Sequence, residues 1–569
     1  MFKSNSQPGL FNFETELCKM QQDLLVNSKE KWFYNLILRN INENNFKPLF
    51  SKKASRPNVA VNILVSALIL KELKRISYDE LMESVMFDLR YKVALGLESI
   101  DDVPFSRGTL FNFQNRIFEH ELETGINLIE QVFDNLTAQQ IKQLSLKADI
   151  QRTDSTLISS NIRKYSRIQL LIEVLIRLER ILDESDKQLI GEQLKVYLET
   201  GSGKYVYGLK SDELPRELEK LGKVYHAVHT GINGKEKYQS KKEFVNFERA
   251  YKEHFVVVNQ EISSRPTEEL NSSMLQSPDD PDATYRKKKE QQSKGYTING
   301  TETANPDNPI QLITDIAVNP NNIDDTQILN SRIDKIVEKT PELKELHTDG
   351  GYGSEDNDRK LEDLNITQIT TAVRGRESEI EKIIEQISAG YTVECPGQIA
   401  TSTPTKQRYK VRFDTNICND CPLKENCQIS KNKGRYYFKH EDYLLGKRNS
   451  NIRNIPKERQ KIRPNVEALM KEFKARTQGG KTKVRGQFKV SLFAFNTGIA
   501  INFGRIFRYI IEYELFNEFS LPIALLHMKN LLKNNPMFIF TRKLDRCQSN
   551  FQLIWDYSKY FSNSQTIAA

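Results

Sequence analysis

LSLKADIQRTDST, residues 144 to 156, decides the architecture. Apolar side chains stand at Leu144, Leu146, Ala148 and Ile150, every second place, which is the period of a strand with one buried face. The run passes into Arg152-Thr153-Asp154-Ser155-Thr156, so Asp154 is expected at the strand's end. Everything upstream reads differently. Val59 to Leu73 is apolar enough for a buried helix, and Tyr78 to Leu97 repeats Leu81, Val85, Leu89 and Val93 at helical spacing. Ser106 is placed to cap a further helix carrying Leu110, Phe111, Phe113 and Ile117. Residues 1–140 are therefore expected to form a helical N-terminal domain, with short helices and polar turns that suit DNA binding.

Downstream, residues 161–279 return to helix, with heptad-like spacing from Leu170 to Leu182, and end in polar stretches around Asn271 and Pro278. Short β-rich runs follow at Gly295–Ile298 and Ile310–Val318, placed to pair as neighbours. Asp324 or Asp325 is expected to cap an amphipathic helix that turns Ile328, Ile333, Ile336 and Val337 inward. Leu343–Thr348 reads as a strand stopping at Asp349-Gly350-Gly351-Tyr352-Gly353, and a short polar helix leads to a last strand, Gln368–Val373. The order strand, insertion, strand, strand, helix, strand, helix, strand predicts an α/β fold. Its mixed sheet is built from residues 141–160 and 280–375 and interrupted by the helical insertion at 161–279. A Cys-rich insertion over 376–455, a helical region carrying Glu467 over 456–510 and a helical tail over 511–569 complete the expected organisation.

Composition narrows the class. The 569 residues are 38% apolar and 28% charged with 26 Gly and 19 Pro, which excludes collagen-like, low-complexity and wholly disordered chains. The apolar run Val59–Leu70 is broken by Asn62 and Ser66 and is too short for a membrane span, so no membrane partner is expected. The first residues hold no apolar signal core, and six cysteines are too few for a disulfide scaffold; both point to a reducing cytoplasm. The net charge of +8 is concentrated: residues 447–489 carry fourteen Lys and Arg against three Glu. Such a window is the electrostatic footprint of contact with a phosphate backbone. Within it Arg463, Lys471, Lys474, Arg476, Lys481, Lys483 and Arg485 are the candidate DNA-binding residues.

Phosphoryl transfer between nucleic-acid strands uses two divalent ions about 3.5–4 Å apart, and hard cations take oxygen ligands. Asp154 and Asp349, ending two strands that a mixed sheet can place side by side, are candidates for the first two carboxylates. Glu467 is the third. On a helical wheel Val466, Leu469, Met470 and Phe473 form an apolar stripe, and Glu467 and Lys474 lie beside it with Arg463. Asp149 and Glu472 are the alternatives at neighbouring positions. His347 is read as a hydrogen-bonded residue near the sheet edge, with a ligand or general-base role as the other reading.

These residues resemble the catalytic motifs of bacterial insertion-sequence transposases of the DDE type: Asp154-Ser155-Thr156, Thr348-Asp349-Gly350-Gly351-Tyr352, and Arg463-x3-Glu467-x6-Lys474. Asp280-Pro281-Asp282-Ala283, Gly295-Tyr296 and the stretch from Arg485 to Asn502 extend the resemblance over roughly residues 50 to 510. The Tyr of that group's Tyr-Arg-Glu-Lys signature is replaced here by Gln460. The resemblance implies an RNase H-like catalytic fold, with Asp154, Asp349 and Glu467 as ligands of two Mg²⁺ (or Mn²⁺) ions and Arg463 and Lys474 on DNA phosphates. It implies binding of terminal inverted repeats in double-stranded DNA, cleavage that frees a 3′-hydroxyl, and strand transfer by that hydroxyl, with a homodimer or larger assembly on the DNA and a cytoplasmic, nucleoid-associated location. A catalytically inactive transposase-derived DNA-binding protein and an RNase H-like nuclease are the competing readings.

Cys395, Cys418, Cys421 and Cys427 give C-x22-C-x2-C-x5-C, a spacing found in four-thiolate zinc sites. A structural Zn²⁺ and four reduced thiols are both compatible with it. Cys18 and Cys547 stand alone.

Overall fold

The computed structural model describes residues 2–5, 13–53, 58–258, 261–288, 290–370, 382–388, 390–427, 429, 433–457, 459–462 and 465–512. The N-terminal region is helical: α1 (Lys29–Leu36), α2 (Val61–Lys74), α3 (Tyr78–Phe87), α4 (Leu89–Ala94), α5 (Arg107–Thr124) and α6 (Leu128–Leu144). The single helix expected over Tyr78–Leu97 is split, because Asp88 takes an extended backbone and its carboxylate accepts from Arg90 N, capping a new helix. Ser106 caps α5 as expected, accepting from Thr109 N.

The strand β1 (Ile150–Ser159) begins later than the alternation suggests. Leu144 closes α6 and Ser145 adopts a left-handed cap at φ 51°, so Leu146 and Ala148 are buried in a link rather than in the sheet. β1 also runs past Asp154, which corrects the expected end point: every residue from Gln151 to Ser159 pairs with a long antiparallel neighbour. That neighbour follows the insertion, in the order β2 (Thr284–Lys288), β3 (Gln291–Thr303), β4 (Ile313–Pro320), β5 (Glu345–Thr348) and β6 (Thr367–Thr370). β3 lies beside β1 and is antiparallel to it, with β2 and β4 successively on its other side; β5 and β6 continue from β1 in parallel. The remainder of the strand expected over Gln368–Val373 lies outside the described residues.

The insertion at 161–279 folds around its own core. Its helices α7 (Arg167–Glu179), α8 (Glu184–Thr200), α9 (Leu214–Ile232) and α10 (Lys242–His254) bury Leu171, Leu175, Tyr225, Val228 and Phe247. A short ribbon, Phe255–Val258 with Glu261–Ser264, departs from the all-helical expectation there. α11 (Asp325–Lys339), which begins after Asp324 without the expected side-chain capping bond from it, and α12 (Glu355–Asp363) cover one side of the main sheet.

The Cys-rich stretch forms a five-stranded antiparallel sheet from β7 (Ile383–Ile387), β8 (Gly390–Cys395), β9 (Gln398–Pro404), β10 (Tyr409–Arg412) and β11 (Arg435–Phe438), around Tyr391, Val393, Val411, Phe413 and Phe438. α13 (His440–Arg453) returns the chain to the main sheet, where α14 (Val466–Lys474) and α15 (Gln487–Glu512) pack on the side opposite α11.

One continuous core joins the N-terminal helices to that face, including Leu64, Leu68, Phe133, Ile158, Ile298, Ile316, Leu469, Phe473, Phe495 and Phe503. α15 is long and apolar enough to cross a membrane by length and composition, which the broken apolar runs of the sequence did not reveal. It is mostly buried against α2, α6 and β4, and its Asn502 side chain both accepts from Ile313 N and donates to Ile313 O. The tail expected after residue 511 lies, beyond Glu512, outside the described residues.

Candidate active site

Side chains alternate across a strand, so Arg152, Asp154, Thr156 and Ile158 share one face of β1. Antiparallel pairing sets Gly300 of β3 directly opposite Asp154. A glycine inside a strand marks a close approach. Here a Cβ on Gly300 would stand 3.2 Å from Leu469 Cδ2 and 3.2 Å from Met470 Cε, both on α14. The missing side chain thus lets the helix carrying Glu467 lie flat on the sheet beside Asp154.

The second carboxylate follows the end of the neighbouring strand. β5 pairs in parallel with β1, Arg152 opposite His347. The paired register ends there; Asp349 follows directly after β5 and Asp154 lies two residues further along β1, and the charges of both act on the buried Tyr352 hydroxyl. Asp154 is half-buried, and one of its carboxylate oxygens accepts from Ser155 N at 2.8 Å. Asp349 is also half-buried and caps the turn Gly350–Tyr352, accepting from Gly351 N at 2.5 Å.

Glu467 is exposed in the first turn of α14. With Lys471 and Lys474, both exposed, it forms a solvent-facing stripe at helical spacing, while Leu469, Met470 and Phe473 are buried beneath. Arg463 lies outside the described residues. The donors are all carboxylate oxygens, the kind a hard divalent ion takes. Among the described residues, however, no three His, Cys, Asp or Glu side chains are gathered as a ready-made metal site.

Neighbouring groups that the sequence reading did not single out complete the setting. Tyr352 is fully buried, and its hydroxyl accepts from Asn299 Nδ2 at 2.6 Å. Burial first, then the negative charges of Asp325, Asp154 and Asp349, hold its ionisation well above the usual range. Ser155 Oγ donates to Asp325 Oδ1 at 2.6 Å. Asp280, noticed only as part of a motif, is a buried hub: its carboxylate accepts from Ser160 Oγ, from Tyr296 Oη at 2.6 Å and from Gly486 N at 2.9 Å. It ties together the end of β1, the middle of β3 and the start of α15.

The alternative carboxylates have structural partners. Asp149 accepts from Asn305 Nδ2 at 2.8 Å, and Glu472 pairs with Arg505 at 3.0 Å. His347 is buried with Nε2 2.6 Å from Glu345 Oε1, the hydrogen-bonded arrangement expected of it.

Of the remaining basic candidates, Lys483 is exposed. Lys481 donates to Ile162 O at 3.1 Å, and Arg485 donates to Asn161 O at 2.7 Å and pairs with Asp279 at 3.1 Å. Arg476 is half-buried and donates to Glu472 O at 2.8 Å; burial, and then Arg75, lower its pKa to about 10.

Cys395, Cys418 and Cys427 pack into the small sheet's core, and Gln398 Nε2 lies 3.4 Å from Cys418 Sγ. Burial, followed by the neighbouring thiols of Cys395, Cys427 and Cys421, pushes the Cys418 thiol up. All four are free thiols, and no arrangement able to hold a metal is found among the described residues, so zinc finds no support here. Cys18 is exposed and free, and Cys547 lies outside the described residues.

Comparison with known proteins gives two matches. Residues 23–116 match the family described as Transposase domain (DUF772), and residues 388–507 match the family described as Transposase DDE domain. The first spans α1 to α4 and half of α5; the second includes the small sheet except β7, Glu467 and α14, and most of α15. Asp154 and Asp349 fall between the two. No curated protein and no solved structure matches the chain.

Proposed function

Because the chain belongs to the insertion-sequence transposases of the DDE type, we propose that it binds the terminal inverted repeats of a mobile element in double-stranded DNA and cleaves and transfers strands there. One observation carries the catalytic reading. Asp154 on β1 and Asp349, just after the neighbouring parallel strand β5, both bring their charges to the buried Tyr352 hydroxyl, and the helix whose exposed stripe bears Glu467 packs on β1 and β3. The strand arrangement supports an RNase H-like core: an antiparallel trio β4, β3, β1 extended by β5 and β6 parallel to β1.

Asp154, Asp349 and Glu467 would hold two Mg²⁺ (or Mn²⁺) ions. When bound, such ions supply the charge that activates the attacking oxygen and stabilises the leaving one. The protein's part is positioning. β1 carries one carboxylate and the turn after β5 the second, and α14 presents the third together with Lys471 and Lys474, whose ammonium groups take DNA phosphates. Arg463 adds to that contact, as does Lys483; Arg476, Lys481 and Arg485 hold the surrounding backbone and lend their charge to the same surface. Hydrolysis at an element end frees a 3′-hydroxyl, which then attacks target DNA, with no covalent enzyme intermediate. Assembly as a homodimer or larger complex on DNA and a cytoplasmic location belong to the same proposal.

The test is incubation of the pure protein with Mg²⁺ and DNA carrying the repeats that flank its gene, with products mapped strand by strand. The expected result is 3′-hydroxyl ends at the element border and joined products. Binding without nicks in either Mg²⁺ or Mn²⁺ would mark a DNA-binding protein only, and cuts without joining a nuclease.

A further inference from the structure

A chain of four charges runs beneath the candidate site, and none of them is on the exposed stripe. Glu302 of β3 has no exposed side-chain surface. Arg152, its cross-strand partner, donates Nε to Glu302 Oε1 at 2.7 Å, and its Nη1 donates to the backbone oxygen of Ile462 at 2.9 Å. The other carboxylate oxygen of Glu302 accepts from Arg505 Nη1 of α15 at 2.6 Å. Arg505 in turn donates Nη2 to Glu472 Oε1 of α14 at 3.0 Å. Two arginines and two glutamates balance, and Arg505 is only 13% exposed.

We propose that Glu302, with Arg152 and Arg505, is a positioning clamp that sets where Glu467 stands relative to Asp154. The proposal rests on the reading of Glu467 as a metal ligand. The clamp holds the chain at Ile462 and again at Glu472, five residues before and five residues after Glu467. Ile462 is further pinned by packing with Ile150 and Ala304. The clamp's reference point is on the site's own strand: Arg152 is two residues from Asp154 on the same face, about 6.6 Å along β1. From Glu472 to Glu467 the helix advances about 7.5 Å. Both ends of the Glu467 segment are therefore tied, through one carboxylate, to the strand bearing Asp154.

Buried ion pairs are weak stabilisers compared with apolar packing of the same volume, whereas the planar fork of arginine fixes direction as well as distance. Such a network contributes geometry. That is what an exposed glutamate on a short helix needs if it is to meet ions held by two strand residues.

The experiment titrates Mn²⁺ into the full-length, DNA-free protein and reads free Mn²⁺ by electron paramagnetic resonance, with thermal melting measured alongside. E472Q releases the C-terminal tie, and R505K keeps the charge but loses the fork. Each is expected to weaken Mn²⁺ binding about tenfold, as loss of an outer-shell partner does; E472Q, at the more exposed end of the network, should melt close to wild type, whereas R505K, which leaves the buried Glu302 less well satisfied, should also melt earlier. E467Q serves as the reference. If E467Q weakens Mn²⁺ binding while E472Q and R505K bind as wild type does, or merely melt earlier, the clamp is refuted and the site reading stands. If E467Q itself binds Mn²⁺ like wild type, the site reading fails and the clamp with it.

Discussion

Replacing Gly300 tests whether the close approach of α14 to β3 matters for chemistry. A Cβ at this position would lie 3.2 Å from Leu469 Cδ2, 3.2 Å from Met470 Cε and 3.7 Å from Phe473 Cε2. Optimal carbon–carbon separation is about 3.5–4.0 Å, so alanine requires a shift of a few tenths of an ångström, within reach of the flexible ends of Leu469 and Met470. Valine adds two methyl groups about 1.5 Å further out, and α14 must then lift or its buried stripe must repack. Overpacking of this kind costs about 1–3 kcal/mol, and displacing a catalytic group by about 1 Å costs about 100-fold in rate. G300A is therefore expected to cut within about tenfold of wild type. G300V should lose about 100-fold or more while still shifting end-bearing DNA in a gel. Single-turnover cleavage with Mg²⁺, mobility shift and thermal melting measure the three quantities. A folded G300V that cleaves at the wild-type rate would refute the claim that Glu467 acts from a helix seated on Gly300.

Removing Lys471 or Lys474 should weaken DNA binding uniformly across sequences. Each lost phosphate contact reduces the slope of log K against log salt by about 0.9, and an unchanged slope in a salt titration would place that lysine away from phosphate. D280N leaves Ser160, Tyr296 and Gly486 without their shared carboxylate charge. It should cost about 2–4 kcal/mol in denaturant unfolding, and a loss under about 1 kcal/mol would contradict the hub. Acid stability carries two opposing signs. Burial, then Arg167, lowers His254 to about 4, so an unfolded chain binds a proton there below about pH 6.5 that the fold refuses, and stability falls as pH drops through that window. Burial raises Asp134 to about 6, so its contribution falls as pH rises from about 3.8 to 6. The two contributions oppose each other between pH 4 and 6.5, so D134N should lose about 3 kcal/mol more than wild type on acidification; equal pH slopes in the two proteins would rule out this pairing.

The order of elements was legible because it depends on local periodicity. The apolar stripe of α14, the Ser106 cap and the pairing of the runs around Ile298 and Ile316 follow from side-chain spacing and capping chemistry alone. Boundaries were less legible where tertiary partners decide them. Leu144 and Leu146 alternate like a strand, yet Ser145 takes a left-handed cap and the sheet starts at Ile150. Asp154 looked terminal because its sequence neighbours are polar; β3 pairs with all of them and keeps them in the strand. The small sheet was hidden by short strands rich in polar residues, whose core of Tyr391, Val411 and Phe438 assembles from three separate strands.

Asp154, Asp349 and Glu467 could be chosen from motif and position. What holds them could not, since Gly300 meets α14, and Glu302 meets Arg152 and Arg505, across sequence separations of more than 100 residues. The isolated glycine in Ile298-Asn299-Gly300-Thr301 was the one local sign of a close helix contact.

The most direct test of the account compares D154N, D349N and E467Q with wild type for strand cleavage of end-bearing DNA in Mg²⁺, with mobility shifts on the same preparations. Each amide removes one ligand oxygen's charge and keeps the shape. The account predicts that all three bind DNA as wild type does and cut at least about 1,000-fold more slowly. Wild-type cleavage by any one of them would take that residue out of the site and contradict the shared three-carboxylate centre.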